Sequence, residues 1–361
     1  MNEDAIKLTS YFGERRRVAG DGFAADALLD LYGKHEVATS ILLRGAEGFG
    51  AKRHTRTDMS LTLSEDLPLI AVAVDSRSRI EPLVSRTAEI TGTGLVTLER
   101  ARLLRDDIEP RDVDAVTPYY GGDSDTKLTI YLGRQERVYR MPAFMAICDL
   151  LYRRGVAGAT ALLGVDGTAH GSRERAAFFS RNSGTPMMVI AVGSGTSILR
   201  VLPELGGLLR RPLLTLEQVR ICKRDGELLC PPSSLPETDE GGMPVWHKLM
   251  VYTSEAGLHE GQPVHRAIVR RLRAAGLSGA TTQRGIWGFH GDHVPHGDRL
   301  VQFGRRVPAV TIVIDSPERI AAAFAIIDEL TAEQGLVTSE WVPAIRPAGA
   351  DPGQQPSGAG R

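Results

Sequence analysis

Five short groupings in the chain combine residue types that bind anions or metals. Arg44-Gly45-x-x-Gly48-Phe49-Gly50 sets a guanidinium beside glycines that let backbone N–H groups turn towards an anion. Arg284-Gly285-x-x-Gly288-Phe289 restates that pattern near the other end of the chain. Arg53 and His54 lie in the basic run Lys52-Arg53-His54-Thr55-Arg56, suited to ligand phosphates or an acidic partner. In Thr91-Gly92-Thr93-Gly94, a hydroxyl and glycine amides can cradle a phosphate. His290, His293 and His296 form an HxxHxxH run beside Asp292 and Asp298, and imidazoles suit zinc, copper or nickel.

Each grouping also has a plainer reading. The Arg–Gly patterns fit a tight turn with the Arg in a surface salt bridge, and Gly92–Gly94 fits a helix C-cap followed by a turn. The basic run fits a solvated loop, as does Arg15-Arg16-Arg17. Gly291, Pro295 and Gly297 deny the histidines a helix that would hold them on one side, which favours a polar loop. Asp75 and Asp315 close apolar runs and are expected to cap the helices that follow.

The elements that position these groups repeat three times. Lys7-Leu8-Thr9-Ser10-Tyr11-Phe12 returns as Lys127-Leu128-Thr129-Ile130-Tyr131-Leu132 and as Lys248-Leu249-Met250-Val251-Tyr252-Thr253. Gly94-Leu95-Val96-Thr97-Leu98-Glu99 returns as Pro212-Leu213-Leu214-Thr215-Leu216-Glu217 and as Gly335-Leu336-Val337-Thr338-Ser339-Glu340. The middle copy of the Arg–Gly pattern keeps Gly164 and Gly167 but has Leu163 and Thr168 in place of Arg and Phe. A repeat of this length is a domain rather than a solenoid unit. The expected domains are residues 1–105, 126–222 and 246–345, with a disordered tail at 346–361.

Within each copy the periodicity predicts β-α-β-β-α-β, the split βαβ or ferredoxin-like order. Leu28, Leu29 and Tyr32 mark one face of a first helix, matched by Ile147, Cys148, Leu151 and by Ile268, Val269, Leu272. Ile80, Leu83 and Val84 mark a second, matched by Ile198, Val201, Leu202 and by Ile320, Ala323, Phe324. Leu69–Val74, Met187–Val192 and Val310–Ile314 are apolar on both faces, although two helices cover only one. The expected fold class is therefore α+β, three tandem ferredoxin-like domains burying one another as a single-chain pseudo-trimer. The links at 105–126 and 223–246, rich in Pro and Gly, are expected to step extended from copy to copy.

Composition narrows the function. Forty-three basic residues against 44 acidic ones give a net charge of −1, which argues against a nucleic-acid or membrane binder. No apolar run reaches membrane-spanning length, and Met1-Asn2-Glu3-Asp4 lacks a signal-peptide start. Cys148, Cys222 and Cys230 are too far apart for a CxxC motif and read as reduced cytoplasmic thiols. No GxSxG, HExxH or Walker loop is present, so the chain is not expected to be an enzyme.

The motifs Lys127–Gly133, Arg44–Gly50, Leu63–Pro68 and Gly94–Glu99 resemble the PII-like family catalogued as domain of unknown function 190, and all three copies share the resemblance. That resemblance implies trimers of ferredoxin-like subunits, a small effector such as an adenine nucleotide bound in clefts between subunits, and a loop after strand 2 that contacts a partner. It also implies a membrane transporter or channel as a candidate partner. The ligand-binding residues so implied are Arg44, Gly45, Gly48, Phe49, Gly50, Arg53, His54, Gly92, Thr93, Gly94, Arg284, Gly285, Gly288 and Phe289. The expected protein is then a non-catalytic, monomeric, cytoplasmic regulator whose mobile loops are Gly48–Leu61, Gly167–Phe178 and Gly288–Leu300. The alternatives are a ligand-free scaffold and a metal-binding protein working through His290, His293 and His296.

Overall fold

A computed structural model describes residues 2–20, 22–50, 56–58, 66–122, 124–169, 172–173, 185–233, 238–239, 242–291, 293–297 and 307–345. In the first repeat, β1 (Asn2–Gly13), β2 (Thr39–Arg44), β3 (Glu47–Phe49), β4 (Pro68–Ser76) and β5 (Leu95–Arg105) alternate with α1 (Ala24–Lys34) and α2 (Val84–Thr91). Antiparallel pairing gives the spatial order β2-β4-β1-β5. Pro82 helps break the expected second helix into a short turn before α2, the ring having no N–H to donate.

A further helix, α3 (Pro110–Tyr120), occupies the link expected to be extended. Its start is written in Glu109-Pro110-Arg111-Asp112: Pro at the first helical position, and an Asp112 carboxylate accepting the Glu109 N–H at 3.1 Å. Val116 and Tyr120 then bury one face of α3.

The second repeat has β6 (Asp125–Gly133), α4 (Ala143–Arg153), β7 (Gly158–Leu163), β8 (Asp166–Ala169), β9 (Pro186–Ser194), α5 (Gly195–Leu208) and β10 (Leu213–Arg224). The third has β11 (Val245–Ser254), α6 (Val264–Ala274), β12 (Ala280–Arg284), β13 (Trp287–His290), β14 (Pro308–Asp315), α7 (Pro317–Leu330) and β15 (Leu336–Ile345). Both repeats pair their strands in the order seen in the first.

Contacts between repeats are cyclic. β3 pairs with β12 of repeat 3, β8 with β2 of repeat 1, and β13 with β7 of repeat 2. The final strands β5, β10 and β15 also pair with one another. The segments expected to open mobile loops at Gly48, Gly167 and Gly288 are thus strands at their start, because each finds its hydrogen bonds on a neighbouring repeat. The doubly apolar strands are explained the same way. One face of each lies under helices, and the other enters a central cluster that joins Ile41, Ile70 and Val72 to Met188, Ile190, Met250, Val310 and Ile312.

Candidate functional site

The Arg–Gly patterns lie at the seams where one repeat lends a strand to the next. A Cβ on Gly48 would press on the Ala280 carbonyl and the Thr281 backbone, and one on Gly45 would strike the Pro68 ring. Gly285 and Gly288 meet Pro308 and the Ala159 carbonyl in the same way. These glycines let two backbones close up. Phe49 faces Ala280 and is buried in the core of repeat 3, while Phe289 faces Ala159 in the core of repeat 2, edge-on to Tyr152 at 5.3 Å. In the remaining seam Thr168 faces Ser40 and accepts its hydroxyl hydrogen bond at 2.9 Å, while Thr39 donates to the Thr168 carbonyl at 3.0 Å.

The two arginines are engaged by carboxylates of the same chain. Arg44 bonds Glu14 at 2.9 Å, with both side chains more than a third exposed. Arg284 pairs with Glu255, the residue equivalent to Glu14, and also receives, across the seam, Asp58 from the repeat-1 hairpin in which Arg56–Thr57 pairs antiparallel with β3. In repeat 2 both partners change together, to Arg134 and Leu163. Beside Asp58, Glu47 faces Arg266 at 3.9 Å; burial raises its carboxyl to about 7 despite that guanidinium.

Gly92 has φ of 62° and donates its N–H to the Ala88 carbonyl at 2.9 Å, ending α2. The Arg16 guanidinium lies where a Gly92 side chain would stand, and Gly94 abuts the Tyr11 carbonyl. Thr93 completes this turn, Gly50 is exposed at the end of β3, and Arg53 and His54 lie outside the described residues. The C-terminal tail and much of the three expected loops also lie outside them. Asp75 and Asp315 do not cap the helices that follow: Ser76 and Ser316 stand at those N-termini, and each Asp instead accepts the N–H of that serine and one from the loop before strand 2, Ala38 at 2.8 Å and Ser278 at 2.7 Å.

The three histidines do not come together as one set of ligands, although the His290 and His293 rings stand 5.5 Å apart. Among the described residues the one set of metal-binding side chains whose ligand atoms lie within 4.8 Å of one another is Glu99, Glu217 and Glu340. His296 turns its Nδ1 to the Val294 carbonyl at 3.0 Å. A shallow groove of about 710 Å³ lies over the helices of repeat 2, lined by Tyr139, Met141, Tyr152 and Leu208, and none of the expected ligand-binding residues lines it.

The Glu triad belongs to a buried ion cluster. Lys7, Lys127 and Lys248 each sit directly opposite Glu99, Glu217 and Glu340 in their own sheets. Each ammonium also crosses to the next repeat: Lys7 to Glu217 at 2.9 Å, Lys127 to Glu340 at 2.6 Å and Lys248 to Glu99 at 3.0 Å. Thr9 and Thr97 add hydroxyl bonds to Glu99 at 3.1 and 3.2 Å. Burial alone would raise the Glu99 carboxyl, but Lys248, Lys7 and Lys127 hold it well below the usual range. Burial would likewise neutralise Lys127, yet Glu217 and Glu340 keep it charged. Because these groups are almost fully buried and paired off, the cluster fixes the register between repeats and offers no face to a substrate. In the sequence the two residues show only as repeat markers.

The DUF190 family profile, described as "Uncharacterized ACR", matches residues 5–103, 125–221 and 246–344. The chain belongs to the DUF190 family, in three tandem copies. A UPF0166 protein of Aquifex aeolicus (strain VF5) is 32% identical over 98 residues, which cover 27% of this chain and 90% of that protein. The crystal structure of aspartate kinase from Synechocystis aligns over 94% of this chain and 44% of its own, with 11% identity and a TM-score of 0.24, too low to bear on fold or function. No helix of this DUF190 chain among the described residues is long and apolar enough to cross a membrane.

Proposed function

We propose that this DUF190 chain is a non-catalytic regulatory protein: a single-chain pseudo-trimer of ferredoxin-like, PII-like repeats that binds a small anionic effector between repeats and signals to a partner through its loops. The observation that supports the reading is Asp58 of repeat 1 seated on Arg284 of repeat 3, beside Arg266. A carboxylate from a neighbouring repeat occupies the place where an effector phosphate would dock. An anion that displaced Asp58 would release the hairpin carrying it, coupling occupancy to the loop that follows. Repeat 2, with Leu163 at the equivalent position, has no such arginine, so at most two sites per chain are expected, rooted in Arg44 and Arg284.

Thermal denaturation with a panel of adenine nucleotides tests the reading. A true effector at a hundred times its Kd stabilises by about 2.7 kcal/mol, and Arg284→Ala removes that gain. A panel without any shift favours the second reading, a ligand-free scaffold, which the internal pairing of both arginines supports. A membrane transporter or channel is the partner class the family resemblance suggests, and pull-down from solubilised membranes is the corresponding test.

A further inference from the structure

Where repeat 3 lends β13 to repeat 2, the strand ends in a histidine that its counterparts lack: Gly50 and Ala169 occupy the equivalent places. His290 is 3% exposed, and neither of its ring nitrogens has a hydrogen-bond partner. Buried polar atoms in native proteins are nearly always satisfied, so an imidazole with both nitrogens orphaned points to a ligand as its partner. The His293 ring stands edge-on to it, with centroids 5.5 Å apart.

The next position, Gly291, has φ of 60°, and a Cβ there would run into the Asp225 carboxylate. Asp225 lies on the turn after β10 of repeat 2, where its N–H donates to the Gly335 carbonyl at 2.9 Å. The missing side chain at 291 is what brings a carboxylate of repeat 2 up to the histidines of repeat 3. Among the described residues that carboxylate pairs with the neighbouring Arg224, at a long 3.4 Å.

We infer that His290, His293 and Asp225 form a site for a divalent transition metal of the zinc class, at the junction of repeats 2 and 3. Two imidazoles and a carboxylate are a common zinc donor set, with water left to complete the coordination. The three donors do not all lie within 4.8 Å of one another, so binding requires a local adjustment. His293 and Asp225 are both exposed, so they are the members that close onto the fixed, buried His290. His296, with Nδ1 on the Val294 carbonyl, is not required. The site is independent of the effector reading.

Calorimetric titration of the untagged full-length chain with zinc alone tests the inference, with cobalt in place of zinc for its ligand-field spectrum. The expected result is one metal per chain. His293→Ala and Asp225→Asn should each weaken binding at least about tenfold, since even losing an outer-shell partner of a metal ligand costs that much. His35→Ala, at an exposed histidine elsewhere, and His296→Ala should leave binding within a few-fold. His290→Gln should abolish it; if that variant fails to fold, the two surface variants still decide. Absence of zinc binding, or binding undiminished in a His293→Ala, Asp225→Asn double variant, overturns the proposal.

Discussion

At the central ion cluster the three repeats supply the same Lys and the same Glu; at the seams they supply different residues. The contrast shows what fusion into one chain permits. A ring of alternating charges works only if every member is present, because a missing partner strands a buried charge. Each seam is a separate pair of strands and can be altered alone, provided both sides change together. The residue facing each lent side chain is matched to it: Ala280 to Phe49, Ala159 to Phe289, Ser40 to Thr168. The surface pairs follow the same rule, Glu14 with Arg44 and Glu255 with Arg284, against Arg134 with Leu163.

The largest effect should come from breaking the ring. Lys127 is 1% exposed at its side chain and touches Glu99, Glu217 and Glu340. Lys127→Met leaves three carboxylates sharing two ammonium groups and should cost about 3–5 kcal/mol in urea denaturation. A cost below about 1 kcal/mol would mean the cluster does not hold the repeats in register.

The seams should respond unequally. Phe289→Ala empties a buried site in the core of repeat 2 and should cost about 3–4 kcal/mol. Thr168→Ala, at the equivalent position, removes a hydroxyl bond and should cost about 1 kcal/mol. Equal costs would refute separate tuning of the seams.

The sequence carried this comparison only in part. The repeats, the strand–helix order and the helix faces were legible because each is a local periodicity: Leu28, Leu29 and Tyr32 are buried as their spacing requires. The lent strands were not, since Glu47–Phe49 is three residues long and its partner, Ala280–Arg284, belongs to another repeat. The helix at Pro110–Tyr120 was hidden by Pro and Gly content, although its N-terminal capping signal was present. Lys7 and Glu99 were visible as matched letters in three copies, but only the strand register shows that they face each other indoors. A lysine recurring at the same place in the first strand of all three copies was the available clue. Of the three residues of the proposed metal site, two lay in the HxxHxxH run, while Asp225 could be found only through the fold.

An effect of middle size is expected from pH. Burial pushes His247 and His265 down to about 4, the first with its Nε2 2.9 Å from the Ser339 hydroxyl. Between about 6.5, the unfolded value, and about 4, the unfolded chain takes up protons that the folded chain refuses, so stability falls as pH falls through that window. Below it the depressed carboxyls of Glu99 and Glu340 add to the loss. His265→Gln should flatten the upper part of the curve; an unchanged slope between pH 6.5 and 4.5 would show that His265 charges freely in the fold.

Glu47 should act in the opposite sense, and by less. Its folded value near 7 lies above the unfolded one, so the folded chain holds a proton there that the unfolded chain has released. Stability is lost as pH rises from about 4.5 to 7, by an amount on the order of 1–3 kcal/mol before relaxation of the seam reduces it. Glu47→Gln keeps the shape and removes the charge. The variant should match the parent at pH 4.5 and exceed it by about 1 kcal/mol at pH 8, because the buried charge then opposes only the parent. Denaturation at the two pH values measures the difference directly. Equal stability of parent and variant at pH 8 would show that Arg266, 3.9 Å away, fully compensates the carboxylate, and that the seam between repeats 1 and 3 tolerates charge as well as the central ring does.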